Sequence, residues 1–339
     1  MSSAMTETIE SDQTGFVKTE FVAPGATLPL IIRPATENIS LTKFTDWLKA
    51  SRDFVEAQLV KYGALLFRGF PLNTIDDFEQ FTAAVSDKLL EYRERSSPRS
   101  QVSGNVYTST DYPPSQKIFP HNEHSYAVSF PLKLFFFCEV AAKKGGETPL
   151  ADTRKVLQRI SPEVRERFIQ KKWMYMRNFG HGMGVPWRTA FQTSDRAVVE
   201  EYARRGKIEV EWKDNDCLRT RQVRPAFATH PRTGETLWFN HATFFHVSTL
   251  DDAMREILLE EFAEEDLPNN TYYGDGSPIE PWVLEHLRAA YEQEMVSFPW
   301  QKGDTIMLDN MLTAHARSSF VGPRKILFAM AEPIMRTDI

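Results

Sequence analysis

Apolar and polar residues along the chain alternate with two periods. From Ser40, SLTKFTDWLKASRDFVEAQLVKYG places apolar side chains at helical spacing and stops on Gly63, which predicts a helix over 40–63. ALLFRGF follows as a short buried strand. Asn73-Thr74 then opens a second helix, IDDFEQFTAAVSDKLL, with Asp76 and Asp77 near its start, where the helix dipole favours anions. LKLFFFCEVAA is an apolar run of strand length, and its three phenylalanines read as core. After a turn at KKGGETPLAD, TRKVLQRISPEVRERFIQKK reads as helical, interrupted at Ser161-Pro162. WMYMRNF and IEVEW predict strands, the second alternating with period two. Helices are predicted around 250–266 and 280–294, and VSFPW, DTIMLDN and KILFAMAEP are strand-like runs near the C-terminus.

No internal repeat appears and no linker divides the chain. The pattern therefore predicts one β-rich α+β domain over 16–339, with helices before and between its strands. Residues 1–15 are polar and acidic, with too little apolar surface to order them. Neither G-x-G-x-x-G after a strand nor G-x-x-x-x-G-K-(Ser/Thr) occurs, so both nucleotide fingerprints are excluded.

Composition narrows the class. A net charge of −6, with basic residues scattered, argues against a nucleic-acid partner. No apolar run approaches the ~20 residues needed to span a bilayer, and the N-terminus lacks the basic and apolar regions of a secretory signal. Of the two cysteines, Cys138 lies in an apolar run and reads as a buried thiol, in keeping with a reducing compartment. The expectation is a soluble, cytoplasmic protein.

The chemistry begins at FPHNEH, residues 119–124. In an extended chain residues i and i+2 share a face, so His121 and Glu123 would stand side by side as two ligands for one ion. With 8 histidines and 46 acidic residues in 339, chance alone supplies about one His-x-(Asp/Glu) pair, so the pair by itself is weak. His124 would join it only on a helix, which the preceding proline disfavours. His241 and His246 are five apart, matching neither a helix nor a strand face, and read as packed or hydrogen-bonded. His181, in GHGMG, fits a substrate contact as well as a loop, while His230 and His286 have no suggestive company. His315 differs: it follows the strand DTIMLDN, and Arg324 stands nine residues on, where the next strand begins. A guanidinium there suits an anionic co-substrate held at a metal, through two parallel hydrogen bonds.

Five stretches in chain order carry a resemblance: YGALLFRGF (62–70), His121–Glu123, FPLKLFFFCEVAAKKGGETPLAD (130–152), RTRQVRPAFATHPRTGETLWFNHATFFH (219–246) and PWQKGDTIMLDNMLTAHARSSFVGPRKILFA (299–329). On these the chain resembles the iron(II)/2-oxoglutarate-dependent dioxygenases of the taurine dioxygenase and clavaminate synthase-like superfamily, most of all the amino-acid hydroxylases of peptide-antibiotic pathways. The resemblance implies a double-stranded β-helix, or jelly roll, with helical insertions. It implies that His121, Glu123 and His315 are the two-histidine, one-carboxylate ligands of Fe(II). Thr148 and Arg324 take the places that bind the distal carboxylate of 2-oxoglutarate, with Lys325, one residue on, as the alternative cation. O2 is the other co-substrate, and oxidative decarboxylation is coupled to attack on an unactivated C–H bond. A carboxylate at 123, where related halogenases have Gly or Ala, disfavours halogenation. Hydroxylation of an amino acid, free or tethered to a carrier protein, is the expected reaction, with desaturation or ring closure as alternatives. Arg221 and Arg317, inside matched motifs, and Asn240 are candidate substrate contacts; Arg188, Arg219 and Arg224 read as surface charges. Two readings from other classes share the same ligands or none: a zinc hydrolase or cupin-like isomerase, and a non-catalytic scaffold.

Overall fold

The strand Ser129–Val140 organises the structure, a computed structural model that describes residues 14–91, 99–109, 112–180 and 184–336. It pairs antiparallel with Thr305–Asp309 on one side and Lys325–Met335 on the other. Around these three an eight-stranded sheet runs in the order Val17–Phe21, Leu30–Pro34, Ala64–Phe67, Thr305–Asp309, Ser129–Val140, Lys325–Met335, Val106–Thr108, Gln101–Ser103. Successive side chains on a strand point to opposite faces, so the sheet buries both. On one face Leu65, Phe67, Phe135, Phe137, Met307 and Leu327 meet Phe44, Trp47, Leu59, Phe78 and Phe81 from helices Leu41–Ala50, Arg52–Tyr62 and Ile75–Val85. On the other, Leu134, Phe136, Cys138, Ile306, Leu308, Ile326 and Phe328 pack with Leu150 of a smaller sheet, Ile118–His121, Thr313–Arg317 and Leu150–Asp152. Burying each large apolar side chain contributes roughly 1.5–3 kcal/mol. This arrangement is a double-stranded β-helix.

Its insertions form a four-stranded antiparallel sheet, in the order Ile208–Trp212, Leu218–Arg224, Trp173–Phe179, Asn269–Tyr273, and the helix Pro281–Glu294. Trp173, Tyr175 and Tyr273 from the sheet share a core with Val283, Leu284 and Leu287 from the helix. No helix among the described residues is long and apolar enough to cross a membrane. Cys138 and Cys217 are both free and buried. Residues 1–13 of the expected tail, and His181, lie outside the described residues.

Local chemistry explains the boundaries. Thr74 caps Ile75–Val85 through a reciprocal pair of bonds with Asp77, and Ser161 caps Pro162–Lys171. Gly63 ends its helix at φ +74°, and a Cβ there would lie 2.5 Å from Thr313 Oγ1, so glycine lets the helix end close on the smaller sheet. Two expectations are corrected. The helix over 40–63 is two, Leu41–Ala50 and Arg52–Tyr62, because Ser51 leaves helical geometry. The turn lets Trp47, Leu48, Val55 and Leu59 all reach one core. VSFPW is not a strand: Val296 makes one isolated bridge to Leu150, Pro299 has no N–H to offer a ladder, and its carbonyl accepts from Arg68 Nη2 at 2.9 Å. Arg68 in turn makes a two-point buried ion pair with Asp304, at 2.8 and 2.5 Å.

Candidate metal centre

His315 lies within Thr313–Arg317, and the antiparallel register sets it directly opposite His121. Cross-strand partners share a face, so the two imidazoles stand with ring centroids 4.4 Å apart. Glu123 comes just after Ile118–His121 ends, where the chain has begun to turn rather than staying extended, and His124 sits at φ +57°. The turn swings the carboxylate back, with Oε2 3.9 Å from His315 Nε2. One ligand atom from each of His121, Glu123 and His315 lies within 4.8 Å of the others.

Asn310 holds this turn. Its Oδ1 accepts from the Glu123 N–H at 2.7 Å, and its Nδ2 donates to the Glu123 carbonyl at 2.9 Å and the Pro131 carbonyl at 2.8 Å. The amide thus grips the backbone of Glu123 on both sides. Beside it, Asp309 Oδ1 accepts from the N–H groups of Met311 and Leu312, at 2.9 and 3.0 Å. His230 Nδ1 accepts two backbone N–H bonds, so its Nε2 carries the proton that bonds Asp309 Oδ2 at 2.9 Å. We expect Asn310→Ala to strand the three backbone groups it serves, lowering stability by about 2–3 kcal/mol and metal affinity by ~10–100-fold. Urea unfolding of the metal-free protein and a metal titration check the two effects separately.

The donors are in metal-binding form. His121 Nδ1 lies 2.9 Å from the Phe119 carbonyl; a carbonyl only accepts, so Nδ1 carries the hydrogen and the Nε2 lone pair is free. Burial pushes His121 and His315 below the usual imidazole range, keeping both neutral. Burial works to raise Glu123, but the charge and hydrogen bond of Arg99 outweigh it and hold the carboxyl ionised. Two neutral imidazoles and a carboxylate form a nitrogen–oxygen set that fits ferrous iron.

The three donors open on a cavity of about 770 Å³. Thr148 and Arg324 line it too. Arg324 is aimed by Nε donating to the Gly146 carbonyl at 2.8 Å and Nη1 lying 3.4 Å from Ser109 Oγ. Gly146 has φ +76°, and a Cβ on it would press within 3.0 Å of Arg324 Cδ. Burial, then repulsion from Arg317, lowers Arg324 to about 10, so it stays charged at neutral pH. Among the described residues it makes no ion pair. Lys325 turns away and pairs with Glu139 at 2.8 Å, so Arg324 is the cation on the cavity side.

The candidate substrate contacts separate. Arg317 lines the cavity, but its Nη1 and Nη2 donate to the carbonyls of Tyr112, Pro113 and Gln116 at 2.9, 2.7 and 2.8 Å, fixing one wall. Asn240 does not reach the cavity; it bonds the Ala226 carbonyl and the Ala242 N–H and so shapes the loop that does. Arg221 is also elsewhere, paired with Glu211 at 3.1 Å in a separate cleft. Arg219 and Arg224 are buried rather than surface charges, bonded respectively to Asp266 and to the Gly206 carbonyl. Conversely, Phe136 of the phenylalanine run faces the cavity, with its ring 5.1 Å from that of His315. His241 and His246 are hydrogen-bonded, to Ser125 and Ser248, and both line the cavity as well. The sequence carried no signal for Arg99, whose Nη2 donates to Glu123 Oε2 at 2.8 Å.

A double-stranded β-helix whose cavity is lined by two histidines and a carboxylate has the architecture expected of the iron(II)/2-oxoglutarate oxygenases. Within that class the chain belongs to the TauD/TfdA family: the model for the taurine catabolism dioxygenase TauD, TfdA family matches residues 27–330. It is similar to the dapdiamide synthesis protein DdaC of Enterobacter agglomerans, 37% identical over 310 residues that cover 91% of this chain and 93% of the relative. A clavaminate synthase-like protein of Arabidopsis thaliana is 31% identical, covering 90% of this chain and 93% of its own length. Among solved structures, PvcB, an Fe, alpha-ketoglutarate dependent oxygenase from an isonitrile synthetic pathway, aligns over 97% of this chain and 94% of its own. Its TM-score is 0.56 at 14% identity, a likeness of fold. AAD-2 in complex with Mn(II) and N-oxalylglycine gives 0.54 at 13% identity, over 95% of this chain and 99% of its own. The protein is therefore a 2-oxoglutarate-dependent dioxygenase that uses Fe(II), which sets aside the hydrolase, isomerase and scaffold readings.

Proposed function

We propose that the protein hydroxylates an unactivated C–H bond of an amino acid or amino-acid derivative, free or tethered to a carrier protein, in specialised metabolism. The observation that carries this reading is one cavity lined by His121, Glu123 and His315 beside Thr148 and Arg324. In it, His121, Glu123 and His315 would hold the iron. Arg324 and Thr148 take the distal carboxylate of 2-oxoglutarate, the guanidinium offering parallel donors and the hydroxyl a third. Thr148 Oγ1 already accepts from Trp300 Nε1 at 3.2 Å, which leaves its hydrogen for the carboxylate. With 2-oxoglutarate and O2, the iron supplies the oxidant for the C–H bond. Phe136, Phe244 and Phe245 line the cavity and keep water from its apolar wall. Glu123 at the ligand position leaves no vacancy for a halide, which favours oxygen transfer. The relative named for dapdiamide synthesis supports a place in specialised metabolism. The catalytic unit is a single domain over 16–339.

The test is a screen of amino acids, free and carrier-bound, with Fe(II), 2-oxoglutarate and O2, followed by succinate and product mass. We expect succinate to rise with one substrate and its product to gain one oxygen atom. A product lighter by two hydrogens would replace hydroxylation by desaturation or ring closure. Succinate that rises with no amino acid of either kind would sink the substrate class.

A further inference from the structure

The contact between Arg99 and Glu123 does more than hold the carboxyl ionised. Both side chains are almost fully enclosed, at 5% and 4% exposure. The Arg99 guanidinium carbon lies 4.0 Å from the ring centroid of Phe328, and Arg99 lines the same cavity as the three donors. Its Nη2 takes Glu123 Oε2 at 2.8 Å, while Oε1 lies 3.5 Å from His124 Nε2. With Asn310 on the backbone, the glutamate is constrained at both ends.

A permanent cation beside a cation site is unfavourable by Coulomb's law, so a compensating role is expected. The chemistry of carboxylates supplies one. A carboxylate ligates a metal through one oxygen or through both. A second glutamate oxygen would occupy one of the positions that a two-histidine, one-carboxylate set leaves open for co-substrates. An oxygen whose lone pair is committed to a guanidinium is a poorer second ligand.

We propose that Arg99 is a positioning residue that restricts Glu123 to one-oxygen ligation and so keeps the remaining positions open. This rests on the reading of residues 121, 123 and 315 as the metal centre. It is tested on the full chain loaded with Co(II), whose absorption spectrum shifts when a carboxylate oxygen takes the place of a bound water, first without 2-oxoglutarate and then during its titration. For Arg99→Gln we expect a Co(II) spectrum shifted from that of wild type and ~10-fold or more loss of 2-oxoglutarate affinity. Arg99→Lys, which restores a cation and a donor, should recover part of both. Arg99→Met keeps the contact with Phe328 and gives the same readout if the glutamine variant does not fold. An unchanged spectrum with tighter metal binding would mean that Arg99 acts by charge alone, and the assignment fails. An unchanged spectrum with weaker 2-oxoglutarate binding would make Arg99 a contact to the co-substrate, and it fails again. Wild-type protein that binds no Co(II) would overturn the metal centre itself, a failure distinct from either.

Discussion

His315→Ala is expected to lose iron and, with it, 2-oxoglutarate turnover. His315 is the candidate donor from a second strand; without it only His121 and Glu123 remain, two residues apart on one segment. Outer-shell changes already cost ~10–100-fold in metal affinity, so removing a direct donor should cost ~100-fold or more. The absorption that develops when 2-oxoglutarate chelates ferrous iron should vanish, and succinate formation should fall to background. The fold should survive. His315 Nδ1 is buried with no hydrogen-bond partner, so alanine removes an unsatisfied polar atom along with the packing of the ring. Iron content after anaerobic reconstitution, read beside the melting temperature of the metal-free protein, separates the two effects. A variant that melts like wild type and still holds one iron per chain would show that His315 is no ligand.

Arg324→Met should leave metal binding intact and weaken 2-oxoglutarate. Truncating one partner of a buried, hydrogen-bonded charge pair costs about 2–5 kcal/mol, roughly 30-fold to several thousand-fold in affinity. The cost should appear in KM for 2-oxoglutarate. The pH dependence follows from the lowered value of Arg324, about 10 against an ordinary 12.5. Because the folded state holds this proton less tightly than the unfolded one, the buried charge costs stability at every pH below about 10. An anion bound at the guanidinium relieves that cost. Saturating 2-oxoglutarate should therefore raise the melting temperature of wild-type protein across the neutral range and have much less effect on Arg324→Met. Affinity should stay flat through neutrality and decline only as pH rises through about 10. Equal affinities for wild type and variant, by calorimetry at neutral pH, would remove Arg324 from the co-substrate site.

Signals carried by neighbouring residues were readable from the chain. Gly63 as a helix stop, Asp76 and Asp77 at a helix start, Ser161-Pro162 as an interruption and the period-two run Ile208–Trp212 all appear as expected, because each depends on interactions within a few residues. The break at Ser51 was hidden, since no local signal marks it and its effect is to bring both helices onto one core. The same limit applies around the metal. His121, Glu123 and His315 are recognisable by residue type and motif, but Asn310 reaches Glu123 across 187 residues and Arg99 across 24, with no local pattern to mark either. Alternation along Ser129–Val140 says that Phe135 and Phe136 face opposite ways, not which of them meets a cavity.

The sequence by itself determined the inventory: most of the helical and strand segments, which side chains are able to ligate iron, and which family the chain resembles. Tertiary structure alone decided the assignments: that Arg324 rather than Lys325 faces the cavity, that Arg221 and Asn240 stay out of it, and that His241 and Arg99 come in. The reason is physical. Backbone propensity and capping act over one or two helical turns, whereas the direction in which a side chain points into a site is set by strand register and packing between segments far apart in the chain.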